Sequence, residues 1–479
     1  MRESTKPRVV VAGASGFVGR ALAPLLSARF HVIGLSRSER SAGQGFAEYR
    51  TCDLFSLKEA ERALEGVDFA VYLVHNMMPS ASLTQGDFAD LDVVCADNFA
   101  RAAAKAGVKQ IVFLGGLCPK GSSLSKHLES RLEVERVLAG YGVPVTTLRA
   151  GLIVGRGGSS FQIVARLVQR LPVMICPRWT LTRTQAVALR DVVMLLDYVV
   201  GRETHYGEVH DVSAPDVVTY RELMRMTATA FGKRRVLIPS LFLSPGLSRL
   251  WVSLITGAPR ALVAPLIQSL RHEMLAGPSE LAQEAGITPT PTAEAIRIAA
   301  SAPDVAPPHA FRGSNASTQR KRVRSVQRMS LPRDWTAEDA GRDYVSWLPR
   351  FLRAFLKVTV HSPDEFSFAF AAWDTPLLKL RRAPERSGPD RQLFYVTGGV
   401  LARVGNRARF ELRQVLRGRT LLTVVHDYEP RLPWLLYVAT QAQFHRWLMH
   451  RFGAHLSRVP DGPPRPTEPL KALPSQPQG

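Results

Sequence analysis

Residues 8–22 read RVVVAGASGFVGRAL and place a strand, a glycine turn and a helix in unbroken order. The run from Arg8 to Ala12 is typical of a buried β-strand, and the apolar residues recur at helical spacing from Phe17 onward. We expect the turn to approach a diphosphate, because a helix N-terminus offers unpaired N–H groups and a positive dipole. A purely structural turn is the alternative. The residues predicted to hold a dinucleotide here are Gly13, Ser15, Gly16, Phe17, Val18 and Gly19.

The spacing of these glycines, G-x-x-G-x-x-G, resembles the extended and atypical branches of the short-chain dehydrogenase/reductase superfamily, including the NmrA-like group. The resemblance continues through VDFAVYLVH (67–75), KQIVFLGGL (109–117) and VPVTTLRAGLIVGRGG (143–158). It implies an α/β Rossmann domain, a doubly wound parallel sheet that binds NAD(P). The resemblance also places Asp53 beside the adenine ring and implies further cofactor contacts from Leu54, Val74, His75 and Gly115.

The charge that follows the second predicted strand, about residues 30–35, bears on the choice of cofactor. Arg37 stands there, and no carboxylate occurs before Glu39. An acid at this position would bind the ribose hydroxyls of NAD and repel a 2′-phosphate, whereas an Arg accommodates that phosphate. The sequence therefore predicts NADP(H) in preference to NAD(H). The alternative is that Arg37 is a solvated loop residue.

The catalytic residues usual in this superfamily, a Ser and a Tyr-x-x-x-Lys pair, are replaced. In SKHLESRLEVERVL (125–138), His127 stands at the Tyr position and Arg131 at the Lys position, and the Ser position falls near Gly115 and Gly116. In one interpretation His127 is a proton donor with a pKa near neutrality, flanked by Arg131. In the other, Arg131 keeps a cation near the cofactor but the usual chemistry is lost, because an Arg stays protonated.

Length and composition indicate a globular protein of two or more domains. The chain has 479 residues, 46% of them hydrophobic, and is too long for one ordinary core. Its four cysteines lack C-x-x-C spacing, so we expect buried, reduced thiols and no metal site. We expect no secretory signal, because the polar start leads directly into the first strand.

No run has the length and apolar purity of a transmembrane helix. Residues 236–270, interrupted by prolines and arginines, are predicted to form short buried helices, with an interfacial segment as the alternative. We therefore predict a cytoplasmic protein, with peripheral contact at the inner membrane as the alternative location.

The net charge of +21 is concentrated towards the C-terminus, since residues 315–479 carry +13 of it. Such a field attracts anions, and we expect an anionic cofactor or a peripheral contact with an anionic membrane. No zinc-finger spacing or RNA-binding motif is present, so no specific nucleic-acid partner is predicted.

The order of patterns divides the chain into segments. Residues 1–235 alternate strands and helices, which predicts the Rossmann domain, and residues 236–300 are predicted to be a helical segment on its substrate side. Residues 301–320, rich in Pro, Ala and Ser, are predicted to be a linker. Residues 321–460 follow as a second domain, and residues 461–479 as a disordered tail.

Two features mark the substrate side of the first domain. Thr219 and Glu222 have capping-box spacing, which predicts the start of a helix. Arg178 and Trp179 stand on a loop where a small-molecule substrate would enter, and Arg178 is predicted to clamp an acidic or polar group. The alternative is a surface loop with a packed Trp.

The second domain has a different pattern. Short strands from residue 323 to residue 428 follow one another without intervening long helices, which predicts an antiparallel sheet. Residues 432–459 predict one long helix that starts near Pro433. This α+β arrangement resembles the helix-grip fold of START and polyketide-cyclase-like proteins, and the resemblance implies an apolar ligand cavity. In the alternative, a solid core is filled by Trp434, Tyr437, Phe444 and Trp447.

The two domains together resemble a bacterial family of fusion proteins described as NAD(P)-binding or NAD-dependent epimerase/dehydratase-like, whose second domain has no known function. The resemblance implies an atypical NADPH-dependent reductase of a small carbonyl or quinone-like substrate. Because the Ser, Tyr and Lys are replaced, one alternative is a non-enzymatic NADPH sensor or scaffold. Another is a protein that binds apolar ligands or a membrane surface through its C-terminal domain.

Overall fold

The computed structural model describes residues 6–75, 83–119, 124–240, 255–257, 268–301, 322–353, 356–362, 364–373, 375–403, 408–416 and 418–462. The chain divides into two compact units, the first of residues 1–78 and 92–314, the second of residues 79–91 and 315–479. The sequence prediction gave residues 79–91 to the first domain, so the two divisions differ at that segment. Most of the predicted linker and tail lies outside the described residues.

The first unit is built on a seven-stranded sheet in which every neighbouring pair is parallel, so the predicted Rossmann fold is confirmed. The chain runs outward in both directions from the first strand, and ligands of such sheets bind at the carboxyl ends beside this switch point. In spatial order the strands are Val209–Val212, Val145–Ala150, Gln110–Gly116, Phe69–Tyr72, Arg8–Ala12, His31–Ser36 and Glu48–Thr51.

Helices follow most of these strands, as a parallel sheet requires. Tyr220–Ala230 begins with the predicted capping box, because Thr219 Oγ1 accepts the Glu222 N–H while Glu222 accepts the Thr219 N–H. The described α-helices are Phe17–Leu26, Leu57–Leu64, Phe88–Ala106, Lys126–Leu138, Ser159–Arg170, Leu189–Val199, Tyr220–Ala230, Leu281–Glu284 and Thr292–Ser301, and single 3₁₀ turns are Ala139–Tyr141, Arg178–Leu181 and Glu203–His205. Of these, Phe88–Ala106 begins in the second unit and enters the first at Asp92.

Three short strand pairs complete the described part of this unit: Arg183–Thr184 with Val218–Thr219, Ile153–Val154 with Val187–Ala188, and Val173–Pro177 with Val236–Ser240. The last pair corrects the prediction of buried helices over residues 236–270, since those residues begin with a strand that pairs with Val173–Pro177. Residues 241–254 and 258–267 lie outside the described part.

The second unit contains an eight-stranded sheet. All its neighbouring strands are antiparallel, as predicted, except that Leu83–Gln85 pairs in parallel with Val323–Ser330. That edge strand comes from the segment of residues 79–91. In spatial order the strands are Leu356–Ser362, Glu365–Phe370, Pro376–Arg382, Arg391–Gly398, Arg409–Val415, Thr420–Tyr428, Val323–Ser330 and Leu83–Gln85.

The helices of the second unit differ from the prediction in two ways. Ala337–Phe351 is a helix that the sequence analysis did not predict, and it starts at a capping box of Thr336 and Asp339. The predicted single C-terminal helix is divided into Trp434–Ala439 and Gln441–Leu456, because the backbone of Thr440 leaves helical geometry at φ −119° and ψ −79°.

The core of the second unit packs these helices against the sheet through Trp347, Phe410, Met449 and Phe452 among others. The interpretation that the four C-terminal aromatic residues fill a solid core is wrong for two of them. Phe444 is 49% exposed and Trp447 is 41% exposed, whereas Tyr437 is buried.

No described helix is both long enough and apolar enough to cross a membrane. Cys52, Cys95 and Cys176 are buried free thiols, and Cys118 is half-buried rather than buried. Within the described ranges, no group of three or more His, Cys, Asp or Glu side chains is arranged to hold a metal ion.

Candidate functional site

The glycine turn after the first strand has the shape that close approach to a ligand requires. Gly13 has a φ of +93°, which favours glycine, and its carbonyl accepts the Gly16 N–H at 2.9 Å. A Cβ on Gly19 would lie 2.5 Å from the same carbonyl oxygen, so the helix can pack this tightly only with glycine there. Sequence spacing alone thus identified the residues whose backbone shape matters.

The helix that starts at this turn fits the phosphates of a dinucleotide. Phe17–Leu26 has no side-chain cap at Gly16 and no acidic residue in its first turn. Ser15 and Gly16 are exposed, Phe17 is half-buried and Val18 is buried. Uncapped N–H groups at a helix N-terminus bind anions, so this helix start fits the predicted diphosphate.

Phe17 also meets a second glycine-rich loop. Its ring lies so close to Gly155 that a Cβ there would be 2.6 Å from Phe17 Cζ, and Gly158 is similarly close at 3.0 Å from Cε1. The Phe17 ring therefore fixes the loop after the strand Val145–Ala150 beside the first turn. In the motif VGRGG (154–158), the contact with Phe17 leaves no room for a side chain at Gly155 and little at Gly158.

The carboxyl end of the strand His31–Ser36 carries two arginines. Arg37 is exposed, as a residue that meets a phosphate needs to be. Arg40 is exposed as well, and its Nε donates to Ser36 Oγ at 3.1 Å, which holds it at the same strand end. Arg40 was not predicted from the sequence, although it follows Arg37 by only three residues.

Asp53 and Leu54 lie at the carboxyl end of the next strand, Glu48–Thr51. Asp53 is half-buried, and its Oδ1 accepts the Phe55 N–H at 3.1 Å, so local bonds fix the carboxylate. The buried Leu54 carbonyl accepts from Asn98 Nδ2 at 2.8 Å, which ties this loop to the helix Phe88–Ala106. Both residues are held in place by hydrogen bonds within the protein, and their contact with the adenine ring stays a prediction.

Two histidines meet beyond the strand Phe69–Tyr72. His75 Nδ1 donates to Asp92 Oδ2 at 2.6 Å, and the rings of His75 and His127 have centroids 5.2 Å apart. Asp92 is 1% exposed, so its carboxylate is a strong, fixed acceptor that sets the tautomer and orientation of His75. Val74, next to His75, is half-buried. Asp92 was not predicted from the sequence, since no local pattern links it to His75.

His127 lies in the first turn of the helix Lys126–Leu138. Its pKa is lowered to about 3, mainly by burial and to a smaller extent by the nearby His75 and Arg131. The expected pKa near neutrality is therefore wrong, because sequence position shows a residue's neighbours in the chain but not its burial. At neutral pH His127 is an uncharged imidazole.

Arg131 performs a structural task in this arrangement. Its Nη2 donates to the Leu114 carbonyl at 2.6 Å, and its guanidinium lies 4.9 Å from the centroid of the Phe113 ring. These contacts attach the helix Lys126–Leu138 to the strand Gln110–Gly116. Gly115, on the same strand, is buried, and a Cβ there would meet Phe113 at 3.2 Å.

A cavity of about 170 Å³ opens beside His127 at the carboxyl ends of the strands Gln110–Gly116 and Val145–Ala150. Its described lining contains no Lys, Arg, Asp or Glu, and its few polar side chains include Ser160 and Ser269. Most of the lining is apolar, including Leu128, Leu152, Ile163, Val164, Met224 and Met274.

Of the two predicted substrate residues, one lines this cavity and the other does not. Trp179 lines it, and its indole ring makes an edge contact with Tyr220 at 6.4 Å between centroids. Arg178 is exposed and does not belong to the described lining. The structure thus brings together His127 and Trp179 but not Arg178, and the role of Arg178 stays a prediction.

Comparison with known proteins agrees with this description. Residues 13–167 match the family described as NAD(P)H-binding, which confirms the predicted NAD(P)-binding domain. The auxiliary protein GraX of Staphylococcus aureus is 30% identical over 146 residues, which are 30% of this chain and 43% of GraX. An uncharacterised protein of Mycobacterium tuberculosis is 28% identical over 260 residues, 53% of this chain and 26% of that protein. The chain thus spans less than half the length of either relative.

Among solved structures, an NADPH-dependent quinone oxidoreductase of Escherichia coli in complex with NADPH is similar to this chain. It is 19% identical, with a TM-score of 0.49, and the match covers 60% of this chain and 98% of that one.

Proposed function

We propose that the first unit is an NADPH-dependent reductase of small, uncharged, largely apolar acceptors of the quinone type. The cavity beside His127 is the observation that carries this proposal. It lies at the edge of the sheet where the cofactor domain binds its ligand, and its described lining is apolar and without charged side chains. A charged substrate would be left without a counter-ion there.

The residues described above support the proposed cofactor at its diphosphate and adenosine parts. The uncapped N-terminus of the helix Phe17–Leu26 would face the diphosphate, and the fixed carboxylate of Asp53 would contact the adenosine half. When bound, the nicotinamide supplies a hydride, which reduces the acceptor while water supplies the proton. The reaction converts quinone, NADPH and a proton into hydroquinone and NADP⁺.

The preference for NADPH rests on Arg37 and Arg40. Both are exposed at the end of the strand His31–Ser36, and guanidinium groups bind phosphate through paired N–H donors. Two arginines at the same strand end can bind a 2′-phosphate more tightly than Arg37 alone, which was the only arginine predicted from the sequence.

The acceptor class follows from the absence of a usable acid at His127. A general acid works best with a pKa near the working pH, and a pKa of about 3 leaves His127 neutral. A simple carbonyl needs a proton as its alkoxide forms, whereas a quinone yields a stabilised hydroquinone anion that water can protonate. Neutral His127 orients the acceptor by hydrogen bonding. The hydrogen bond to Asp92 holds the His75 ring beside the His127 ring.

The cofactor preference is tested by calorimetry of Arg37→Asp and Arg40→Asp with NADPH and NADH. Each variant is expected to weaken NADPH binding by roughly ten- to a hundredfold and to leave NADH binding within a few fold. Arg234→Asp removes an equal charge at an exposed position outside the described site and is expected to change neither affinity. Equal affinity of the wild-type protein for both nucleotides would remove the preference from the proposal.

The acceptor class is tested by following NADPH oxidation with 1,4-benzoquinone and with benzaldehyde. We expect turnover with the quinone, little with the aldehyde, and loss of quinone turnover in Met224→Trp, which fills the cavity. NADPH binding retained with no turnover on any quinone would favour the alternative, a non-enzymatic sensor. Preference for the aldehyde would contradict the assignment of the acceptor.

A further inference from the structure

Three connecting segments of the second unit meet at one end of its sheet. They are residues 375–376, 399–403 and 429–436. The Val400 N–H donates to the Pro376 carbonyl at 3.1 Å. The Arg431 N–H donates to the Leu401 carbonyl, also at 3.1 Å. These bonds hold the three segments side by side, and we call the surface that they form the loop end.

The loop end carries positive charge. A groove of about 690 Å³ opens there, and Lys379, Arg403 and Arg431 line it with exposed side chains. The described lining contains no Asp or Glu. Glu429, two residues before Arg431, already pairs with Arg322 at 3.3 Å. The described lining of the groove therefore offers three cations and no carboxylate to balance them.

Large apolar side chains stand beside this groove. Leu435 is 83% exposed and Trp373 is 65% exposed. The Trp373 ring makes an edge contact with Phe370 at 5.6 Å between centroids, so the indole is held at the surface. Val400 and Leu436 are exposed as well. Contiguous exposed apolar surface on a folded protein marks a site of contact with another molecule or a membrane.

An aromatic cluster extends the same surface. The Phe351 ring lies 5.6 Å from the Trp447 ring, which lies 5.6 Å from the Phe444 ring, and all three are exposed. Phe351 comes shortly before the strand whose first residue pairs with Phe370. In the described part of the second unit, the remaining exposed large apolar residue is Leu416, at the opposite end of the sheet.

The combination of cations and apolar side chains matches an anionic lipid bilayer. Anionic headgroups attract Lys and Arg, Trp is favoured at the depth of the headgroups, and Leu is favoured at the start of the acyl chains. A second copy of this chain fits less well. A two-fold interface would bring the same cationic groove against itself, and like charges repel.

We propose that the second unit docks onto an anionic membrane surface through its loop end. Lys379, Arg403 and Arg431 bind the lipid phosphates, while Trp373 and Leu435 insert between the headgroups. Net charge in the sequence attracts anions but names no surface, and the loop end supplies one. The proposal is independent of the reductase activity, because every residue in it belongs to the second unit.

The test is flotation of the full chain with vesicles of phosphatidylcholine, alone or with about 30% phosphatidylglycerol. We expect binding to the anionic vesicles to be at least about tenfold tighter, and to be lost in about 0.5 M NaCl through screening. Arg431→Gln is expected to weaken binding to anionic vesicles by about fivefold, because it removes one cation. Leu435→Ser is expected to weaken it by roughly tenfold, because it removes an inserted apolar group.

Arg419→Gln and Leu416→Ser are the matched controls, since both residues are exposed at the opposite end of the sheet. Each removes the same kind of group and should leave binding unchanged, and melting curves establish that every variant is folded. No binding of the folded wild-type chain to anionic vesicles, or equal weakening by the control substitutions, would overturn the proposal. Dimerisation that Leu435→Ser abolishes, without vesicle binding, would also overturn it, because it would assign the loop end to a second copy.

Discussion

At the scale of single residues, the first turn depends on contacts that leave no room for a methyl group. Gly19 packs against the Gly13 carbonyl, and any side chain at position 19 must push that carbonyl away. The same carbonyl fixes Gly16 at the start of the helix. The proposed diphosphate site and the packing of the helix therefore depend on the same small group of atoms.

Gly19→Ala is expected to destabilise the protein by about 1–3 kcal/mol, because the added Cβ would overpack the turn. It is also expected to weaken NADPH binding at least tenfold, measured by calorimetry. Gly140→Ala is the matched control, since a Cβ there meets nothing within 4 Å. Unchanged stability and binding in Gly19→Ala would contradict the described packing.

The lowered pKa of His127 predicts how stability depends on pH. The folded state disfavours protonation down to pH about 3, whereas the unfolded chain takes up a proton near the ordinary value of 6.5. Between these values the unfolded state binds more protons, so stability falls as pH falls from 6.5 towards 3. The loss from this residue reaches about 2 kcal/mol at pH 5.

Urea denaturation at pH 7 and pH 5 checks this expectation with His127→Gln, which cannot take up the proton. The variant should lose less stability than the wild-type protein between these two pH values. An identical loss in both proteins would show that the imidazole of His127 is not held neutral in the folded state.

At the scale of elements, two helices begin with reciprocal hydrogen bonds. Thr219 with Glu222 starts one, and Thr336 with Asp339 starts the other. The first was predicted because Glu at the third position completes a familiar spacing. The second was missed because Asp339 takes the place of that Glu, and because Gly341 and Pro349 weaken the helical pattern of Ala337–Phe351.

Thr336→Ala is expected to destabilise the second unit by about 1 kcal/mol, because the Asp339 N–H loses its acceptor. Thr336→Ser keeps the hydroxyl and should restore most of the stability. Tryptophan fluorescence during urea unfolding measures both variants. A full loss in the Ser variant would assign the effect to the methyl group instead of the cap.

At the scale of the whole molecule, the second unit contains a segment from far earlier in the chain. Leu83–Gln85 pairs with Val323–Ser325, and Gln85 Nε2 donates to the Ala442 carbonyl at 3.2 Å. Asp90 Oδ1 accepts from Arg328 Nε at 2.7 Å. The second unit is thus not a simple C-terminal appendage, because the chain passes between the two units three times.

Asp90→Asn is expected to destabilise the second unit by about 1–3 kcal/mol, because Arg328 loses its charged acceptor. Arg419→Gln is the control, since Arg419 forms an exposed pair with Asp461 at 3.8 Å, and such pairs contribute little. Unfolding curves followed by tryptophan fluorescence compare the two. Equal effects of both substitutions would contradict a specific role for residues 79–91.

Net charge also belongs to this scale. The excess of positive charge in residues 315–479 led to the expectation of contact with an anionic membrane. That contact and the cytoplasmic location stay predictions. Charge composition indicates which partners are attracted but not which surface meets them.

Sequence by itself determined the features that arise from neighbouring residues. The strand, glycine turn and first helix follow from periodicity and from the absence of side chains at Gly13, Gly16 and Gly19. Alternation of apolar residues likewise predicted the antiparallel sheet of the second unit. These features are local, so a short stretch of sequence is enough to specify them.

Only the tertiary structure decided what depends on residues far apart in the chain. It brought Asp92 to His75, made His127 a neutral imidazole, and joined Leu83–Gln85 to a strand about 240 residues later. It also shaped the cavity beside His127. The physical reason is that burial, pKa and cavity shape are set by packing between elements, which no periodicity in the sequence records.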